Sequence, residues 1–322
     1  MMNGIIKSFR FIFANKWKII LTVWFTLIFI FVLFPFNDLN DLISAQVSKL
    51  TQNKIFLQFE ELHLNPFSPT ITVNKVFIES ANMPALTSQE LSVSPSLSSL
   101  ISKQPEGTIV ANGFLKGNVE IHLKSGTKTE TGLARSRLDI QAKSLGIKEI
   151  RELAQLPVAL RGTLNLNATA QADLTFTEQP EAEMSLTIQK FEMPSGSVNL
   201  GDMGRVNLPE IKFAAVELKG KLANGKFTIE TGKLGSNKDE LYGDIKGDLT
   251  LTFQNQNGQI TPFVGGYNID LNLKATAGFK ERAKFFLTFL DGYKTEMADG
   301  TQYKFKIQAS SAGMPPQFTP LR

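Results

Sequence analysis

Two histidines are the only imidazoles of this sequence, and it contains no cysteine. The missing thiols exclude disulfides, thiolate zinc sites and cysteine nucleophiles together. His63 lies between Leu62 and Leu64, just after Glu60 and Glu61, and the sequence marks no hydroxyl or second imidazole to work with it. His122 lies between Ile121 and Leu123, on a stretch whose odd positions are apolar, so a strand here turns it to solvent. Neither a Walker loop nor an H-E-x-x-H motif occurs. Gly113, Gly117, Gly243 and Gly247 fall inside alternating runs, not at a strand-to-helix turn. They read as bends, bulges or close packing rather than as a phosphate cradle. The acidic residues fall largely on polar strand faces. These observations predict no catalytic residues, no cofactor, no metal and no small-molecule substrate. A net charge of +4 leaves no footprint for nucleic acid.

The elements carrying these residues are mostly strands. From Ile55 onward apolar and polar residues alternate. In the longest run, Val158 to Thr177, the apolar side carries Leu160, Leu164, Leu166, Leu174 and Phe176. Alternation this long means one buried and one wet face, in one very long strand or two joined by a bend. The pattern returns from Leu241 to Phe253, with Leu249, Leu251 and Phe253 on the apolar side, and from Ala111 to Leu123. Shorter strands are predicted at Ile71–Ile78, Leu138–Ala142, Met184–Ile188, Val216–Leu222, Phe227–Ile229, Ile269–Leu273 and Tyr303–Ala309. Asn224-Gly225 and Asn257-Gly258 read as hairpin turns. Amphipathic helices are expected at 37–50, started by Asn37 or Asp38, at 147–156, ended by Pro157, and at 279–290. The last sets Phe285, Phe286 and Phe289 beside Lys280, Arg282 and Lys284; that stripe suits a core or contact with lipid or a partner.

The N-terminus is different. Ile19 to Phe34 is apolar apart from Thr22 and Thr26, and with Trp17, Pro35 and Phe36 the run reaches about 20 residues, enough for a bilayer. Each Leu, Ile, Val and Phe there favours insertion by roughly 0.3 to 0.6 kcal/mol. Lys7, Arg10, Lys16 and Lys18 precede the run, while Asp38 and Asp41 follow it. The positive-inside rule then leaves the N-terminus in the cytoplasm and the rest outside. No A-x-A cleavage pattern follows, so an anchor is expected rather than a cleaved signal. The expected organisation is a basic, aromatic cytoplasmic segment 1–16, a transmembrane helix 17–36, a periplasmic β-rich domain 37–312 and an irregular tail 313–322. The fold class is mainly β with minor α: a long curved antiparallel sheet and a few amphipathic helices.

Three segments carry a likeness to a known family: LFPFNDL at Leu33–Leu39, ELHLNPF at Glu61–Phe67 and LSVSPSLSSLI at Leu91–Ile101. With the order of the later elements, the chain resembles the general secretion pathway protein N of type II secretion systems, in its Leptospira/deltaproteobacterial form. It is also similar in organisation to AsmA-type proteins, in which an anchor leads into a curved β-groove linked to lipid traffic. The first resemblance implies a non-catalytic accessory component of the secretion apparatus in a bacterial inner membrane, with other secretion-system proteins as partners. The second implies a lipid-binding or lipid-transfer protein, with membrane lipids as partners and an apolar groove at Leu160, Leu164, Leu166, Leu174, Phe176, Leu249, Leu251 and Phe253.

Overall fold

A computed structural model describes residues 16–33, 39–65, 68, 70–80, 83–96, 106–128, 134–173, 176–199, 205–256, 259–311 and 313–321. The chain begins with helices α1 (Lys16–Leu33) and α2 (Leu39–Leu50). Strands β1 (Ile55–Gln58), β2 (Glu61–Asn65), β3 (Thr70–Ser80), β4 (Met83–Pro95), β5 (Gly107–Phe114), β6 (Gly117–Lys128) and β7 (Ala134–Gly146) come next. After helix α3 (Ile147–Leu153) the chain returns to strands: β8 (Arg161–Asp173), β9 (Glu181–Met193), β10 (Gly196–Asn199), β11 (Arg205–Leu208), β12 (Ile211–Ala223) and β13 (Lys226–Leu234). Two long strands, β14 (Leu241–Gln256) and β15 (Gln259–Ala275), lead into helices α4 (Ala277–Arg282) and α5 (Lys284–Thr288). Strands β16 (Lys294–Met297), β17 (Gly300–Ser311) and β18 (Gln317–Pro320) end the chain.

Sixteen strands form one antiparallel sheet in nearly sequential order, β1-β3-β4-β5-β6-β7-β8-β9-β12-β13-β14-β15-β17-β16. The strands β10 and β11 make a separate hairpin. Strand pairing between sequence neighbours follows from the short connections, which favour adjacent hairpins. Both outer strands are tiled. The free edge of β3 takes β2 along Thr70–Asn74 and β1 along Phe77–Ser80. The free edge of β17 takes β16 along Gly300–Tyr303 and β18 along Phe305–Gln308.

The two-residue alternation predicts strand identity well, and the short predicted strands run longer than the segments that announced them, whereas the longest run, Val158 to Thr177, gives the shorter strand Arg161–Asp173, with Val158–Leu160 and Phe176–Thr177 outside it. Four further expectations change. The run from Ala111 to Leu123 is a hairpin rather than one strand, with Leu115 and Lys116 both at positive φ (47° and 64°) between Phe114 and Gly117. A two-residue turn of this handedness matches the twist of its flanking strands, and the Leu115 carbonyl accepts a 2.9 Å bond from the Gly146 amide. The expected helix over 279–290 is two short helices separated at Ala283, capped at the start by Thr276, whose hydroxyl accepts from the Phe279 amide. The tail is not wholly irregular, since Gln317–Pro320 pairs with β17. Finally, no described helix is long and apolar enough to cross a membrane. In α1 the two lysines at its start leave Ile19–Leu33, about 22 Å of helix at 1.5 Å per residue. The rest of the expected span, 34–36, lies outside the described residues, as do 1–15, Leu174 and the turn at 257–258.

The tightest packing lies where α4 and α5 meet the sheet. Phe279, Ala283 and Leu287 from the helices enclose Phe213, Leu241, Ala275, Tyr303 and Phe305 from four strands. The helix α3 packs against β4, β7 and β8, tied by a 2.6 Å Lys116–Glu149 ion pair.

Candidate functional site: the apolar sheet face

Cross-strand register aligns the apolar positions into two rows across the sheet. One row runs Leu62, Val73, Leu91, Ala111, Val119, Ala142, Leu166 and Leu186 over β2 to β9. It goes on through Leu218, Gly232, Ile245, Leu271, Phe305 and Pro320 to β18. The neighbouring row runs Leu64, Ile71, Val93, Ile109, Ile121, Ile140, Ala168 and Met184. Gly220, Ile229, Gly247, Ile269, Ile307 and Phe318 continue it. No polar side chain interrupts either row. Register explains this: a one-residue slip anywhere would turn a whole strand's apolar set over.

Helices cover this face at one end. Away from the α4–α5 core the shielding is uneven: Leu62, Ala142 and Ile229 are buried, whereas Ile71, Val93 and Ile109 are 41, 38 and 40% exposed. In a closed core such side chains are fully buried. At the far end of β14, Phe176 rests 5.9 Å from Phe253, ring centroid to centroid. The segment holding Phe176 is fastened by Gln179, whose side chain bonds both the amide and the carbonyl of Phe253.

Of the expected face residues, Leu164 and Leu166 lie in β8 and Leu249, Leu251 and Phe253 in β14. Leu164 faces Ile188 and Leu166 faces Leu186 across β8 and β9. Leu249 is opposite Tyr267, Leu251 opposite Val264 and Phe253 opposite Pro262. Leu160 precedes β8 and lies outside the ladder. The glycines explain themselves on the same face. A Cβ on Gly220 would stand 2.4 Å from the Phe227 ring, and one on Gly232 2.3 Å from the Ile245 side chain. The glycines therefore let neighbouring apolar side chains lie flat across them.

The aromatic stripe of α5 corrects the reading that makes it core. Phe285 and Phe289 are 60 and 72% exposed, while the neighbouring positions Phe279, Ala283 and Leu287 are buried. Phe286 is half-buried.

The opposite face is polar along its whole width. One row reads Ser94, Thr108, His122, Asp139, Thr169, Glu183, Lys221, Thr228, Asp248, Asn268 and Gln308. Around His122, Asp139 and Glu183 it forms an open depression of about 600 Å³. There His122 bonds Thr108 at 2.9 Å and Glu120 at 2.9 Å. Burial works to raise the Asp139 carboxyl, but hydrogen bonds from Arg137, Thr169 and Lys124 outweigh it and hold the group below the usual carboxylate range. These groups are consumed by one another. His63 is exposed and meets Glu61 at 3.3 Å. Among the described residues no group of three or more His, Asp or Glu is placed to hold a metal ion.

Three contributors to the face carried no usable signal in the sequence. Gln179 sits in a short connection without periodicity, and of Phe191 and Phe213, stacked at 5.8 Å, the first lies past the predicted end of its strand and the second ahead of the predicted start of its own. Comparison of the chain with protein-family models, with curated proteins and with solved structures finds no match.

Proposed function

We propose that this chain is a non-catalytic binding protein of the bacterial periplasm, tethered to the inner membrane by its N-terminal segment and using its open apolar sheet face to hold lipid acyl chains. The observation that carries this reading is the pair of uninterrupted apolar rows, which stay exposed at Ile71, Val93 and Ile109. Acyl chains fit such a surface because it offers dispersion contact along its length and asks for no directional hydrogen bond. The tether rests on the sequence: α1 carries apolar side chains outward, with Trp17 and Leu33 at 77 and 73% exposure, and the apolar run continues to Phe36. The decisive experiment places photocrosslinking residues at Leu186 and Leu218, and at Ser185 and Lys219 on the other face, in the full chain in its native membrane. Lipid adducts at the first pair alone are expected; adducts at neither or equally at both end the reading.

A second reading, an accessory role in the type II secretion apparatus, is supported by the segments of resemblance. ELHLN forms the edge strand β2 and LSVSP ends β4, near the edge of the sheet reached from α1 and α2. Here the partners are other secretion-system proteins. A strain lacking this chain that secretes its type II substrates normally would remove that reading and leave the first untouched.

A further inference from the structure

We infer that the groove between α2 and β1 takes an extended peptide of a partner protein, paired through the backbone of Leu57. Alternate residues of an antiparallel edge strand turn their amide and carbonyl to opposite sides. Ile55 and Phe59 turn theirs away from β3. Thr51 Oγ1 accepts from the Ile55 amide at 3.2 Å and donates to the Ile55 carbonyl at 3.3 Å, and Asn40 Nδ2 donates to the Phe59 carbonyl at 3.4 Å. Glu60, of the other parity, turns toward the sheet, and its amide bonds the Asn74 carbonyl of β3 at 3.1 Å. Leu57 lies midway between the two fastened residues, so its amide and carbonyl also point toward α2. Among the described residues no side chain or loop backbone bonds them. Both are obligatory hydrogen-bonding groups, and one extended peptide residue satisfies the pair.

Helix α2 is tied to β1 at both ends and stands off between them. The ties are four residues apart, roughly 13 Å of strand. Over that interval α2 turns the short side chains of Asp41, Ser44, Ala45 and Ser48, which share one helical face, toward β1. The groove left between them has a volume of about 540 Å³, within the range of about 300–1,000 Å³ typical of ligand sites. When a peptide adds to a sheet edge, main-chain pairing supplies affinity and the walls supply selection. Asp41 is the charged residue of these walls, so a lysine or arginine in the peptide is favoured. The half-exposed ring of Phe56 offers an apolar surface to a neighbouring side chain. This contact is separate from the acyl-binding face and stands if that face holds nothing.

The test uses the full chain in detergent micelles and one probe, an end-blocked pentapeptide Thr-Val-Thr-Val-Lys, whose β-branched residues favour the extended form. Hydrogen exchange over Ile55–Gln58 is followed with and without it. Millimolar peptide should slow exchange there about tenfold, and an analogue N-methylated throughout, unable to donate, should leave it unchanged. Two variants remove the site by different means. Leu57→Pro deletes the outward donor, a change that an edge strand tolerates. Ala45→Phe fills the groove from an exposed helix position. Each should weaken binding of the dye-labelled peptide about tenfold, read by fluorescence anisotropy, with an unchanged circular-dichroism spectrum. Exchange that the peptide does not slow, slowing that the methylated analogue reproduces, or binding that survives Ala45→Phe would overturn the inference.

Discussion

Gln179 completes the hydrogen bonding of Phe253 as a strand neighbour would: its Nε2 donates to the Phe253 carbonyl at 3.0 Å and its Oε1 accepts from the Phe253 amide at 2.9 Å. The strand β13 begins at Lys226 opposite Thr250, so β14 loses that neighbour just before this point. One side chain, 74 residues away in sequence, fills the gap. Gln179→Ala should lower stability by roughly 1–3 kcal/mol, the cost of leaving a partly buried donor and acceptor unpaired. Amide exchange at Phe253 should accelerate in parallel. Unchanged exchange would mean that water replaces the glutamine at no cost.

Leu287 and Phe289 lie two residues apart on one helical turn and should respond oppositely to truncation. Leu287 is 9% exposed and belongs to the core, so Leu287→Ala should cost about 2–5 kcal/mol. Phe289→Ala, at a position 72% exposed, should stay within about 0.5 kcal/mol. Denaturant titration of the two variants measures both, and a larger loss at 289 would reverse the assignment of faces.

Gly247 permits the close passage of β15. Its φ is 143°, and a Cβ there would stand 2.2 Å from the Asn268 carbonyl oxygen. Gly247→Ala combines backbone strain with overpacking and should destabilise by roughly 2–4 kcal/mol. Gly292→Ala, where a Cβ meets nothing within 4 Å, should be nearly silent. Thermal unfolding of the pair separates a positional requirement from a general effect of alanine.

The Glu240–Arg282 ion pair gives the α4 corner a dependence on acid. A hydrogen bond from the Arg282 guanidinium holds the Glu240 carboxyl below the ordinary glutamate range, against a smaller opposing effect of burial. The folded state therefore binds this proton less readily than the unfolded chain. Its stabilising contribution is present above the ordinary glutamate value of about 4.3 and is lost as pH falls through the lowered folded value. Both side chains are well exposed, so the contribution is at most about 1 kcal/mol. Glu240→Gln should melt slightly below the parent at neutral pH, and the difference should close as the solution is acidified below pH 4. A gap that persists there would assign the effect to packing.

Strand identity was legible because the buried and wet faces impose a two-residue period that few other structures produce. The turn at Leu115-Lys116 was not, since neither residue announces positive φ as the Asn224-Gly225 turn does. The break at Ala283 escaped for the same reason: alanine is a strong helix former, and tertiary packing decides where the helix stops. The segment FKERAKFFLTFL holds two apolar stripes, Phe279/Ala283/Leu287 and Phe285/Phe286/Phe289, and periodicity alone does not choose which turns inward. Pro315, Pro316 and Pro320 hid β18, where a short edge strand tolerates proline that a central strand would not. At the candidate site, the apolar character of each strand was readable but the alignment of fourteen strands into shared rows was not, because register is a property of pairs.

With two short strands occupying the outer side of β3 and two more that of β17, neither flank offers a long run of unsatisfied amides for another chain to join. Neighbouring molecules therefore find only short outer strands of four or five residues to pair with at either end. Widening this molecule requires a new hairpin inserted between existing ones, each adding roughly 10 Å and leaving both finished borders in place. The span is thus set by the number of strands paired in succession, with short strands finishing both borders.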